Sequence, residues 1–213
     1  ILEKIIQMGY SQQKIMAVSN NFLDEQVPSF GSKLKAKWQD KKFVCVGLDT
    51  ADFPLLQKIV DDTHDLVCAY KLNSAFYEAD GISGLESLKK TIEYIHQKDP
   101  QILILLDAKK GDIGNTNKAI VKAVFDDLGA DAVTVHPYLG KESLQPFLER
   151  ADKGIFVLVK TSNPGAGEFQ DLIQTDGKPL YMHVARNVAT GWNTNGNCGL
   201  VVGTTSAKIE EEL

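Results

Sequence analysis

The stretch Asp107-Ala108-Lys109-Lys110-Gly111-Asp112 places two carboxylates and two ammonium groups within six residues, directly after the apolar run 102–106. If 102–107 is a strand, side chains two apart share a face, so Asp107 and Lys109 enter one space and Lys110 faces away or lies in the loop. Charges sharing that space must be paired, which makes the set a candidate for electrostatic and acid–base catalysis. The plain alternative is a surface turn of solvated charges. The position after a buried strand, with Gly111 and Gly114 permitting a tight backbone, favours the catalytic reading. Lys71 closes a second apolar run, 66–71. Alone, such a lysine is more often a solvated stem. With Asp107, Lys109 and Asp112 it forms two cations and two anions, each able to stay ionised because its neighbours carry the opposite sign.

The elements that must carry these residues follow from the alternation of short apolar runs with longer amphipathic segments. Strands are predicted at 43–48, 66–72, 102–107, 132–136, 155–160 and 198–202. Helices are predicted at 53–62, 84–97, 116–128, 142–150 and 179–192, with a short one at 30–40. This rhythm is parallel α/β. Asp49, Lys71, Asp107, Lys109, His136 and Ser162 all fall at or just past the C-terminal ends of strands, where (β/α)8 barrels assemble their sites. Gly47-Leu48-Asp49 is no dinucleotide fingerprint, so the expectation is a TIM barrel rather than an open doubly wound sheet. About six of eight βα units are visible. Two more are expected beyond Leu213, where 208–213 reads as the opening of another helix, so a C-terminal truncation is inferred. Residues 1–21 read as an N-terminal extension or the tail of a preceding segment, and 22–213 as the incomplete barrel.

The chain has 213 residues, 43% of them hydrophobic and 24% charged, with a net charge of −5. No apolar run approaches the roughly 20 residues of a membrane span, and the acidic balance argues against a broad grip on nucleic acid. Any anion site must be local. Cys45, Cys68 and Cys198 lack metal-type spacing, and Cys45 and Cys68 sit in apolar runs; a reducing cytoplasm is expected. His64, His96 and His183 have no ligand-spaced partners. No metal and no cofactor are expected. His136, at a strand end, could touch a ligand or be packed or hydrogen-bonded within the mouth and is given no catalytic role; 163–178, with Gly165 and Gly167, is read as a flexible lid.

These motifs resemble orotidine 5′-phosphate decarboxylases, whose Lys-Asp-Lys-Asp tetrad contains a DxKxxD core. The matching residues are Lys71 and Asp107-Ala-Lys109-Lys-Gly-Asp112-Ile-Gly-Asn-Thr116, together with Val-Gly-Leu-Asp49, Tyr-Lys71-Leu-Asn-Ser-Ala-Phe-Tyr-Glu and Lys-Thr-Ser162-Asn-Pro-Gly-Ala-Gly-Glu-Phe. They span about 30–206 and are most similar to the bacterial branch with a DAKxGDIGNT loop. The resemblance implies decarboxylation of a small-molecule nucleotide, orotidine 5′-phosphate, to uridine 5′-monophosphate. It implies that Asp49 holds ribose hydroxyls, Lys71 bridges ribose and tetrad, and Asp107 faces the substrate carboxylate. Lys109 would protonate C6, and Ser162 would bond the pyrimidine edge. Asp112 and Thr116 would reach the neighbouring site of a homodimer. The family's phosphate-gripping Arg follows strands not visible here. Two other readings stay open: a Mg-dependent sugar-phosphate decarboxylase of the same superfamily, which an acidic residue at position 71 would favour, and a non-catalytic nucleotide-binding fragment.

Overall fold

A computed structural model describes residues 28–203. Its six strands are β1 (Val44–Gly47), β2 (Val67–Asn73), β3 (Leu103–Lys110), β4 (Ala132–Val135), β5 (Gly154–Lys160) and β6 (Cys198–Val202). They form one sheet in the order β1-β2-β3-β4-β5-β6, each neighbouring pair parallel. The helices are α1 (Phe30–Gln39), α2 (Phe53–Thr63), α3 (Ser74–Glu78), α4 (Gly81–Lys98), α5 (Gly114–Val121), α6 (Gly140–Leu148), α7 (Gly167–Gln170) and α8 (Leu180–Asn187). The predicted extension at 1–21 and helix turn at 208–213 lie outside the described residues.

Polar residues set several helix starts. Ser29 accepts a hydrogen bond from the Ser32 N–H at 3.2 Å, and Asp52 accepts one from the Leu55 N–H at 3.2 Å, with Pro54 in the first turn of α2. Each such cap is worth about 1 kcal/mol.

The two-residue repeat of the strands sorts the sheet into two faces. On one, Tyr70, Leu72, Ile104, Leu106, Val133, Val135, Ile155 and Val157 form a single core with Leu56 and Val60 of α2, Ile92 and Ile95 of α4, and Phe147 of α6. Helices therefore cover one face of a sheet whose chain order never reverses, which is a barrel wall and not a doubly wound sheet. The opposite face carries Ala69, Leu103, Ala132 and Phe156, and α1 closes its N-terminal end with Phe30 and Leu34. Phe30 meets Phe156 edge to face, with ring centroids 5.9 Å apart.

Helices predicted as continuous at 116–128 and 179–192 end in wider π turns, Lys122–Asp127 and Val188–Trp192, whose Val124, Phe125, Val188 and Trp192 are buried. Helix α3, five residues long, is too short to show a helical period in the sequence.

Candidate active site

The face opposite the helices turns polar at the C-terminal ends of the strands. The Leu48 N–H bonds the Lys71 carbonyl at 2.8 Å and continues the β1–β2 pairing past Gly47↔Lys71. Leu48 is fully buried, and its carbonyl accepts from the buried Tyr77 hydroxyl of α3 at 3.0 Å. Asp49, the next residue, meets Lys71: Oδ1 lies 3.5 Å from Nζ. Pairing of Asn73 with Asp107 brings β3 alongside, with Lys71 Nζ 3.9 Å from Asp107 Oδ2. Lys109 Nζ donates to Asp107 Oδ1 at 2.8 Å. The result is an alternating row, Asp49, Lys71, Asp107, Lys109, spanning three strands.

Asp107 anchors the row, its side chain only 14% exposed. Burial pushes its carboxyl up, but hydrogen bonds from Lys109 and Thr134 and the charges of Lys109 and Lys71 outweigh that and hold it below the ordinary value of 3.8. The group is an anion at neutral pH.

The pairing of β3 with β4 runs in step to Leu106↔Val133 and resumes at Lys110↔Val135, so three β3 residues stand opposite Thr134 alone. Lys109 takes up this bulge with φ +45°. A non-glycine residue there carries about 1–2 kcal/mol of strain, which the surroundings must hold. The Lys109 N–H donates to the Thr134 hydroxyl at 2.9 Å, and that hydroxyl donates to Asp107 Oδ1 at 2.8 Å. Lys110 turns away to Glu78, 3.7 Å distant, as strand parity anticipated.

Beyond the bulge, Asn117 of α5 is fully buried. Its Oδ1 accepts the Asp112 N–H at 3.0 Å, and its Nδ2 reaches the carbonyls of Asp112 and Ser143, both at 2.5 Å. His136 Nε2 lies 3.1 Å from the Gly111 carbonyl, and a Cβ on Gly111 would fall 2.4 Å from the imidazole. Only glycine fits there. His136 is therefore packed against the Gly111 backbone at the mouth. Asp112 Oδ1 accepts from the Ile113 N–H at 2.7 Å, and no ion pair to Asp112 forms among the described residues.

The structure thus brings Asp49, Lys71, Asp107 and Lys109 together. It leaves Asp112 on the adjoining loop, Thr116 exposed in the first turn of α5, and Ser162 exposed just after β5. Sequence reasoning missed Thr134 and Asn117. Thr134 was discernible as the lone polar residue of Ala132-Val-Thr-Val135; Asn117 had no signal, because its partners are backbone groups.

The segment predicted as a flexible lid carries a 3-10 turn, Pro164–Ala166, and α7, and it is tied to the end of β5. Gln170 Oε1 accepts the Thr161 N–H at 2.9 Å, and buried Lys160 ion-pairs with Asp171. Phe169, Leu172 and Ile173 stand exposed on it. Among the described residues no group of three or more His, Cys, Asp or Glu is arranged to hold a metal ion, and no helix is long and apolar enough to cross a membrane.

Comparison with known proteins places this geometry among relatives. A model of the orotidine 5′-phosphate decarboxylase / HUMPS family matches residues 42–213. An orotidine 5′-phosphate decarboxylase of Herpetosiphon aurantiacus is 56% identical over 149 residues, covering 70% of this chain and 55% of that protein. One of Roseiflexus castenholzii is 45% identical over 190 residues, covering 83% of this chain and 68% of that protein. The structure of Leishmania donovani OMP decarboxylase superposes with a TM-score of 0.78 at 40% identity, covering 84% of this chain and 72% of that one. The chain thus spans between about half and two thirds of the length of the two curated relatives named. With the match running from β1 through β6 and the charged row at the ends of the matched strands, the chain belongs to the orotidine 5′-phosphate decarboxylase / HUMPS family.

Proposed function

We propose that the protein decarboxylates orotidine 5′-phosphate to uridine 5′-monophosphate and CO2, a step of pyrimidine biosynthesis in the cytoplasm, on a (β/α)8 barrel of which this chain supplies about six units. The observation that carries the reading is the Lys71–Asp107–Lys109 array, two ammonium groups flanking one anionic carboxylate at the strand ends. Breaking the bond between C6 and the carboxylate leaves an electron pair on C6 that the ring delocalises poorly. The Lys109 ammonium stabilises that pair electrostatically and then transfers a proton to it, so C6–H replaces C6–CO2⁻ and CO2 departs. Asp107, held anionic, faces the substrate carboxylate and repels it in the ground state. Lys71 bridges Asp107 and Asp49, and Asp49 holds ribose hydroxyls. Ser162 bonds the pyrimidine edge.

No cofactor enters this scheme. The carboxylates nearest the reacting centre each face an ammonium, a donor set that favours an anionic substrate over a divalent cation. Asp112 and Thr116 act in the neighbouring site of a homodimer; the loop that Asn117 fixes, which carries Asp112 beyond the charged row, supports that role. The three free cysteines accord with a reducing compartment.

The test is direct assay of the full-length protein with orotidine 5′-phosphate, following uridine 5′-monophosphate and CO2, with and without EDTA. Turnover unaffected by EDTA is expected. No turnover, or turnover abolished by EDTA and restored by Mg²⁺, would falsify the reading.

A further inference from the structure

We propose that Thr134 is the positioning residue of the Asp107–Lys109 pair, its hydroxyl setting the separation and aim of the carboxylate and the ammonium. The inference rests on the proposed decarboxylation for its kinetic readout. It stands on the geometry of one atom. Thr134 Oγ1 gives its proton to Asp107 Oδ1 at 2.8 Å and takes the Lys109 N–H at 2.9 Å. A hydroxyl offers one donor and two acceptor lone pairs, so a single group can tie a side-chain carboxylate to the backbone of the residue that carries the ammonium. The Lys109 Nζ contact to that same Oδ1, 2.8 Å, completes a closed circuit of Asp107, Lys109 and Thr134.

Three further observations make the tie consequential. The residue is 4% exposed, so water has little access to replace the hydroxyl. It lies where the ladder breaks, opposite the three-residue bulge, and the Lys109 N–H that a regular strand would pair with a carbonyl has this hydroxyl instead. Lys109 itself sits at φ +45°, a backbone position that relaxes unless it is held. Removing the hydroxyl would strip Asp107 Oδ1 of a donor and orphan the Lys109 N–H together, which frees the bulge to shift. A displacement of about 1 Å in a catalytic group can slow turnover by roughly a hundredfold. The substrate need not touch Thr134, so binding should change little.

The experiment compares wild type with Thr134→Val, which keeps the shape and loses the hydroxyl, and Thr134→Ser, which keeps the hydroxyl. Steady-state kinetics would be measured on the full-length protein, and the Asp107 carboxyl titrated by carbon-13 NMR. The expected result is a kcat about 10–100-fold lower in Thr134→Val with KM within about threefold, a raised Asp107 titration point, and recovery of both in Thr134→Ser. Wild-type kcat in Thr134→Val overturns the proposal, as does an equal loss in Val and Ser, which would assign the effect to the methyl group. If Thr134→Val does not fold, Thr134→Ala against Thr134→Ser decides in the same way. Should the wild type fail to decarboxylate, the functional reading falls. The carboxyl titration still tests the tie, and an unchanged Asp107 titration in Thr134→Val overturns it.

Discussion

The two ends of the sheet both collect charge, and they use it differently. At the N-terminal end Asp131, 8% exposed, accepts the Ile104 N–H at 3.0 Å and faces Lys33 at 3.3 Å and His96 at 3.6 Å. Nearby, Lys37, 3% exposed, bonds Asp99 at 2.9 Å, and Lys153 bonds the Ala130 carbonyl at 2.8 Å. These groups knit α1, α4 and the start of β4 together. At the C-terminal end the ammonium of Lys109 is half exposed, and Lys71 and Asp49 are partly open as well. Charges closed around backbone groups hold a fold, whereas charges in a row with one open side remain available to a ligand.

Substitutions should separate the two ends, and the largest effect belongs to the mouth. Lys109→Ala should lower kcat by at least about a thousandfold, since it removes both charge stabilisation and the proton donor. Its melting temperature should shift by only a few degrees, because a half-exposed ion pair contributes little. Wild-type turnover in this variant would end the assignment.

Asp131→Ala should do the reverse, costing about 1–3 kcal/mol by orphaning the buried Ile104 N–H, with kcat per folded molecule unchanged. Denaturant unfolding beside active-site titration checks it. Burial raises the Asp131 carboxyl, yet His96, the Ile104 N–H and the charges of Lys33 and Lys153 bring it below 3.8. A depressed carboxyl contributes stability in full above its unfolded value and loses it as pH falls through the folded one. The acid limb of the stability curve below pH 3.8 should therefore flatten in Asp131→Asn; an unaltered limb would assign acid unfolding to other groups.

If Asp112 serves the partner's site, mixing inactive Lys109→Ala and Asp112→Ala subunits should restore about a quarter of wild-type activity, because half the dimers are mixed and each has one intact site. No recovery after subunit exchange would confine Asp112 to its own chain. The smallest effect is expected of Lys110→Ala, within about twofold in kcat and about 0.5 kcal/mol in stability, because its ion pair to Glu78 is exposed. A large loss there would move the proton donor by one residue.

Much of this arrangement was legible before folding was considered. The apolar runs located all six described strands to within about three residues, since each is a short run of apolar and β-branched residues bounded by polar turn residues. Strand parity correctly put Asp107 with Lys109 and turned Lys110 away. It could not reveal the bulge, which depends on how many β3 residues stand opposite Thr134, nor the grip of Asn117 on Asp112, nor the burial of Lys160 against Asp171. Each is a relation between segments brought together by packing.

The sequence by itself determined the α/β alternation, the strand ends and the charged types gathered there, because hydrophobic period and residue chemistry are local properties of the chain. Only the tertiary structure decided that Lys109 takes a left-handed backbone, that one threonine hydroxyl ties it to Asp107, and that Asp112 stands apart from the row. Those outcomes follow from register between neighbouring strands and from the need to pair every buried N–H and hydroxyl. Both needs are met by atoms distant in sequence.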